Sequence, residues 1–194
     1  MKNMMRFFLS LFGWKYLKPP EELQSGVYIL PVHTSAWDAI HAVIGSIFYN
    51  LSPITFLVEN FYDLAPWFFS RLGFIRVPDM DERSSTAFVP LFRQLRKKTK
   101  VAPSPYAIAI CPEGNRQYVD HYKSSFLYLS RRLKVTIYVL EIDFWNKQVQ
   151  VYPSINPKGL SDKQVMDKVR EYVKPETGLY PDQAGRPYLE FEND

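Results

Sequence analysis

Val27-Tyr28-Ile29-Leu30-Pro31-Val32, running directly into His33-Thr34-Ser35-Ala36-Trp37-Asp38, is the stretch on which the fold turns. Its first six residues follow a Ser25-Gly26 turn and form a short apolar run of the kind that suits a buried strand. Beyond them Ile40, Val43, Ile44, Ile47 and Phe48 recur at helical spacing, with Ser35 placed as N-cap and Asn50 and Pro53 closing the run. The chain therefore passes from strand to helix within a few residues, and His33 stands at the strand's carboxyl end.

The same alternation continues outward. Residues 54–58 read as a second strand, and 61–72 as an aromatic helix that Pro66 forces to start late or kink. Gly73 precedes a strand over 74–77. Phe88, Leu91, Phe92 and Leu95 mark a helix ending in Arg96-Lys97-Lys98, where cations complement the carbonyl end of the helix dipole. Pro103 and Pro105 break the chain before a strand over 106–111. A helix over 124–133 follows, then a strand over 135–144 that turns through Trp145-Asn146-Lys147 into 148–152 as a hairpin. Leu160-Ser161-Asp162-Lys163-Gln164 has the staple and capping box of a helix start, with Val165 and Val169 on its buried face. The tail beyond Pro175 reads as irregular. Strands alternating with helices imply one α/β domain whose mixed, mainly parallel central sheet is flanked by helices, with chemistry beyond the carboxyl ends of the strands.

A length of 194 residues suits one domain, and 46% hydrophobic with 23% charged residues is globular. The 16% aromatic content gathers in runs such as Trp67-Phe68-Phe69, which suit contact with lipid. A net charge of +4 favours anionic partners without choosing among headgroups, phosphorylated substrates and nucleic acid. Cys111, the single cysteine, excludes an intramolecular disulfide; it reads as a buried strand residue, a Cys/His metal cluster is not expected, and a reducing compartment is the default. With eight glycines and no Gly-rich phosphate loop, a nucleotide-binding fingerprint is not expected either.

Near the start, the apolar stretch 7–14 is well short of the ~20 residues that span a bilayer, and Trp14-Lys15-Tyr16 stands where a signal peptide needs small residues. A helix over 3–16 would put Met4, Phe7, Phe8, Leu11 and Phe12 on one face flanked by Lys2, Arg6 and Lys15. That is the pattern of an amphipathic interfacial helix, and equally of one packed on the domain's own core.

His33 and Asp38 are the first chemical candidates. Acyl transfer to a hydroxyl needs a base of near-neutral pKa and a carboxylate on its other ring nitrogen to fix the tautomer and stabilise the imidazolium. The start of the following helix is expected to keep His33 neutral at rest. The plainer reading is that Ser35-x-x-Asp38 is a capping box and His33 a satisfied strand-end residue. The second candidate is Cys111-Pro112-Glu113-Gly114-Asn115-Arg116, a turn in which Arg116 could grip a phosphate and the amides could face an oxyanion; otherwise it is a surface turn with a local ion pair. His41 and His121 read as structural. The basic groups around Arg96 and Arg131 could attract anionic lipid but usually mark solvated helix ends.

Taken together, Gly13-Trp14-Lys15, Val32-His33-Thr34-Ser35-Ala36-Trp37-Asp38, Leu72-Gly73-Phe74-Ile75 and Cys111-Pro112-Glu113-Gly114-Asn115-Arg116 resemble the glycerolipid acyltransferase family, lysophosphatidate (1-acylglycerol-3-phosphate) acyltransferases included, in order and spacing along residues 13 to about 145. The resemblance implies an acyltransferase domain over 19–194 behind an interfacial helix over 1–18. It implies His33 as general base and Asp38 as its orienting partner, with Glu113, Gly114 and Arg116 serving the acceptor. It also implies an arginine for the acceptor's phosphate: Arg83 if a few residues are inserted before it, or Arg76 in the strand, because Asp79 holds the expected position. No metal or cofactor is implied. The donor would be acyl-CoA or acyl carrier protein, the acceptor a lysophospholipid or glycerol phosphate, and the partner surface a phospholipid membrane, with no nucleic acid and a peripheral, cytoplasmic location. Phe61, Trp67 and Phe68 would line the acyl path. Asn115, Glu59 and Ile137-Tyr138-Val139 stand where the family has threonine, lysine and a proline. Two other functions follow the same residues: a membrane-binding module that has lost catalysis, suggested by Asp79 and Glu59, and a hydrolase in which the His33-Asp38 pair activates water.

Overall fold

The computed structural model describes residues 12–58, 63–77, 88–102 and 105–190. In chain order these form β1 (Lys15–Tyr16), β2 (Gly26–Ile29), α1 (Trp37–Phe48), β3 (Ser52–Val58), α2 (Pro66–Arg71), β4 (Phe74–Val77), α3 (Phe88–Val101), β5 (Tyr106–Ile110), α4 (Ser125–Leu133), β6 (Thr136–Asp143), β7 (Gln148–Val151) and α5 (Asp162–Arg170). The strands build one seven-stranded sheet in the order β1-β7-β6-β2-β5-β3-β4. Every neighbouring pair is parallel except the β6–β7 hairpin. The expected single α/β domain with a mixed, mainly parallel sheet is therefore present.

β2 lies between β5 and β6, and all four of its residues are buried. Side-chain alternation divides the core in two. Ile108 and Ile110 face Phe126 and Leu127 of α4 and Val165, Met166 and Val169 of α5. Ala107 and Ala109 face Ala42 of α1, where their small side chains admit the helix that carries Asp38. At the far edge Gly73 has φ +91, and a Cβ there would lie 1.9 Å from the Pro53 carbonyl oxygen, so only glycine lets β4 start alongside β3.

Several sequence expectations hold at residue level. Pro66 occupies the first turn of α2, giving the late start. Ser161 and Gln164 form a complete capping box on α5, worth ~1 kcal/mol. Others need correction. The β2 ladder ends after Leu30, whose amide still bonds the Ile110 carbonyl at 2.9 Å, because Pro31 has no N–H to continue it. Ala36, not Ser35, takes the cap position of α1, although the Ser35 hydroxyl still accepts from the Trp37 amide at 3.2 Å. α3 runs through its basic cluster to Val101, and the Lys98 ammonium reaches the Phe74 carbonyl at 2.9 Å.

The expected N-terminal amphipathic helix fails over the part that is described. Gly13 turns the chain with φ 76, and Lys15–Tyr16 forms β1, with the Lys15 amide on the Lys147 carbonyl at 2.8 Å and the Leu17 amide on the Val149 carbonyl at 2.9 Å. The open edge of β7 outcompetes helix propensity there. Residues 3–11 lie outside the described residues. Among the described residues no helix is long and apolar enough to cross a membrane.

Candidate active site

Two neighbouring parallel strands create the site. The register pairs Ile29 of β2 with Ile110 of β5, so the segments that follow, 30–33 and 111–114, leave the same sheet edge side by side. Gly114, at φ 76, lets the second segment turn tightly, its amide bonding the Cys111 carbonyl at 3.1 Å. Glu113 is thereby directed inward and is 1% exposed. One of its carboxylate oxygens accepts from the His33 amide at 2.7 Å and the other from the Gly185 amide at 2.5 Å. Burial raises its pKa, while those two amides partly offset the shift.

His33 then meets Asp38. Its Nδ1 lies 3.0 Å from Asp38 Oδ2, and the same oxygen accepts from the Ser35 amide at 2.9 Å. One carboxylate oxygen thus holds the Ser35 amide and orients the imidazole, whereas the full capping box does not form, since the Ser35 hydroxyl takes the Trp37 amide and not that of Asp38. Asp38 is 1% exposed, and the His33 side chain 16%, open enough to be reached from the sheet edge.

Cys111 corrects the sequence reading. It follows β5 rather than ending it and is only half-buried. The His33 pKa also departs from expectation. Burial pulls it down, but the charges of Cys111 and Asp38 and the hydrogen bond to Asp38 outweigh burial and lift it from 6.5 to about 10. The helix start does not hold the ring neutral, because the charges of Cys111 and Asp38 act on it, Asp38 from 3.0 Å.

The remaining candidates scatter. Arg116 is exposed in the turn beyond Gly114. Arg76 is engaged elsewhere, its Nε and Nη2 donating to the two carboxylate oxygens of Asp63 at 2.9 and 2.8 Å. It is therefore already occupied at the position considered for the acceptor's phosphate. Arg83, with Asp79, Glu59 and Phe61, lies outside the described residues. Glu113, with both oxygens on backbone amides, braces His33. His41 is structural, as read. Tyr16 Oη lies 2.9 Å from its Nδ1, the Trp14 ring is 3.8 Å from its own, and burial lowers its pKa to about 4.

Two contributors carry no local sequence signal. Among the described residues the tail beyond α5 has two short 3-10 turns, Pro175–Thr177 and Pro181–Gln183, yet it walls the site. The Tyr180 amide donates to Thr34 Oγ1 at 3.2 Å, Leu189 is 1% exposed, and Gly185 holds Glu113. Lys123 is the other: its ammonium lies 2.8 Å from where a Cβ on Gly114 would stand. Only the pairing of distant segments brings these groups here.

The edge that carries His33 is also rimmed by exposed apolar side chains. Trp37 and Ile40 leave the start of α1, Leu64 and Trp67 the start of α2, Trp145 the β6–β7 turn, and Phe12 the approach to β1. Trp67 is 75% exposed, facing solvent rather than core. Comparison of the chain with protein-family models, with curated proteins and with solved structures returns no match in any of the three.

Proposed function

We propose that this chain is an O-acyltransferase of the glycerolipid type, moving a fatty acyl group from an acyl-CoA or acyl carrier protein thioester to the hydroxyl of a lysophospholipid or glycerol phosphate at a membrane surface. The observation that carries the reading is the 3.0 Å contact of His33 Nδ1 with buried Asp38, at the open end of a parallel sheet, with the His33 main chain pinned by Glu113. In its neutral form a base so oriented takes the acceptor's proton through Nε2 as the oxygen attacks the acyl carbon. Asp38 steadies the imidazolium that forms, and collapse of the tetrahedral adduct expels the carrier thiol.

Arg116, with Arg83, is the pair assigned to the acceptor's phosphate, through charge-assisted bonds. Arg76 is the weaker candidate because Asp63 holds it in a two-pronged pair. The exposed rim of Phe12, Trp37, Ile40, Leu64, Trp67 and Trp145 supports a peripheral, cytoplasmic-face location, since aromatic and aliphatic groups around the site would settle it against headgroups.

The test is thiol release from long-chain acyl-CoA with and without lysophosphatidate, lipid products being resolved by chromatography. Release that depends on acceptor should fall by about 10²- to 10⁴-fold in His33→Ala and in Asp38→Asn. Release that ignores the acceptor would make the protein a hydrolase. No acylated product from either donor type on a panel of acceptors would leave a lipid-binding module.

A further inference from the structure

A cavity of about 550 Å³ lies at the end of the sheet opposite His33, and the mechanism above makes no use of it. It opens between the closing turns of α3 and α4, over Tyr106, the first residue of β5. A parallel strand rises ~3.3 Å per residue, so the four steps from Tyr106 to Ile110 already put about 13 Å between the cavity and the edge that carries His33. The floor is apolar: Phe92, Tyr106 and Leu133 line it and pack against the buried cluster that contains Ile108 and Ile110.

The rim is cationic. Arg96 and Lys100 stand four residues apart on α3, on the same helix face as Phe92, and Arg132 joins them from α4. No carboxylate lines the cavity among the described residues, and no ion pair among those residues holds any of the three. Their neighbours differ: Lys98 donates to the Phe74 carbonyl at 2.9 Å, and Arg131 pairs with Asp162. Complementing a helix's carboxyl end accounts for Lys100 and Arg132, which sit in last turns, but not for Arg96, which lies before the last turn of α3. Like charges at i and i+4, with a third on the same rim, repel one another, and an anion among them removes the repulsion. Thr99 turns its hydroxyl onto the Arg96 carbonyl at 3.1 Å. The donors that remain on the lining are two guanidinium groups, the Lys100 ammonium and the Tyr106 phenol, which burial keeps protonated by pushing its pKa up.

We infer that this cavity binds a phosphate-bearing ligand, its phosphomonoester or diphosphate group seated among Arg96, Lys100 and Arg132 and its apolar or aromatic body resting on Phe92 and Leu133. Guanidinium forks from two helices suit the two-pronged grip that phosphate oxygens accept. The volume falls within the roughly 300–1,000 Å³ of small-molecule sites, room for a nucleotide and far more than a bare phosphate ion fills. The site owes nothing to His33 or Asp38 and stands whether or not the chain transfers acyl groups.

The experiment is calorimetric titration of the full chain at physiological salt with ADP and with inorganic pyrophosphate, beside sedimentation with phosphatidylcholine vesicles that contain or lack phosphatidate. One ADP per chain, with a Kd of about 1 mM or tighter, is the expected result, and pyrophosphate should bind about tenfold more weakly because it leaves the apolar floor uncovered. Arg96→Gln/Arg132→Gln should lose about tenfold or more in affinity for ADP. Arg93→Gln/Lys97→Gln removes the same charge from exposed positions of α3 outside the cavity and should bind as wild type does. All of these side chains are exposed, so thermal melts should agree among the three proteins. Vesicle binding that needs phosphatidate and is lost only in Arg96→Gln/Arg132→Gln, with ADP silent, would keep the site and assign its phosphate to a lipid headgroup. Equal losses in both double variants would reduce the cavity to diffuse surface charge, and no saturable binding of any probe would overturn the site. Neither outcome touches the acyltransferase reading, which is tested on His33 and Asp38 alone.

Discussion

At Glu113 one buried carboxylate ties together three segments, its oxygens holding amides 80 residues before it and 72 residues after it. Glu113→Gln would leave one acceptor and turn an NH₂ toward the other N–H, at a cost of about 2 kcal/mol. Thermal unfolding should show a Tm lower by about 4–8 °C, together with reduced turnover because His33 loses its anchor. His33 itself carries a pH signature. Its folded pKa lies above the ordinary value, so the stability it contributes is complete below about 6.5 and lost as pH rises through about 10. Denaturant titrations across that window should slope downward in wild type and more gently in His33→Ala, and NMR titration of the ring should report a midpoint well above 6.5. The His33–Asp38 pair was legible because both members lie within one strand-to-helix passage. The brace from Glu113 to the His33 amide was not, since no local spacing reveals that β2 and β5 are neighbours.

Elements whose causes are local matched their sequence signals: the α5 capping box, the late start of α2 at Pro66 and the β6–β7 hairpin. Elements that depend on a partner did not. β1 forms because β7 offers an open edge, and the tail lies on the site because Thr34, Glu113 and Tyr122 bond to it; no periodicity encodes either outcome. Gly73 stands between the two cases, visible as a glycine before a strand, with its necessity set by a carbonyl 20 residues earlier. Gly73→Ala combines a left-handed backbone with a 1.9 Å clash and should cost about 3 kcal/mol or more, a Tm loss of about 6–12 °C in a domain of this size. Because β4 is the terminal strand, His33 alkylation kinetics should change far less than stability.

Across the whole molecule six exposed aromatic and aliphatic side chains, Phe12, Trp37, Ile40, Leu64, Trp67 and Trp145, stand at the end of the sheet that carries His33, and the chain carries a net charge of +4. Vesicles containing anionic phospholipid should therefore bind the protein in sedimentation assays, more weakly as salt is raised. The double variant Trp67→Ala/Trp145→Ala should lose about tenfold in vesicle affinity with its Tm unchanged, since both rings are mostly in solvent. Composition pointed to lipid contact, but only the sheet topology shows that rings from four separate segments gather on one edge. The position of β2 has a kinetic consequence as well. The strand that leads into the His33 segment sits between β5 and β6, and the segment's brace at Glu113 is completed only by Gly185. Such pairings close long loops before they gain contact energy, so folding should be slow for the chain's size, and refolding should restore helical circular dichroism before it restores turnover. During synthesis β2 emerges well before either of its neighbours, an apolar strand with both edges open, and its protection in that interval falls to whatever holds nascent chains apart.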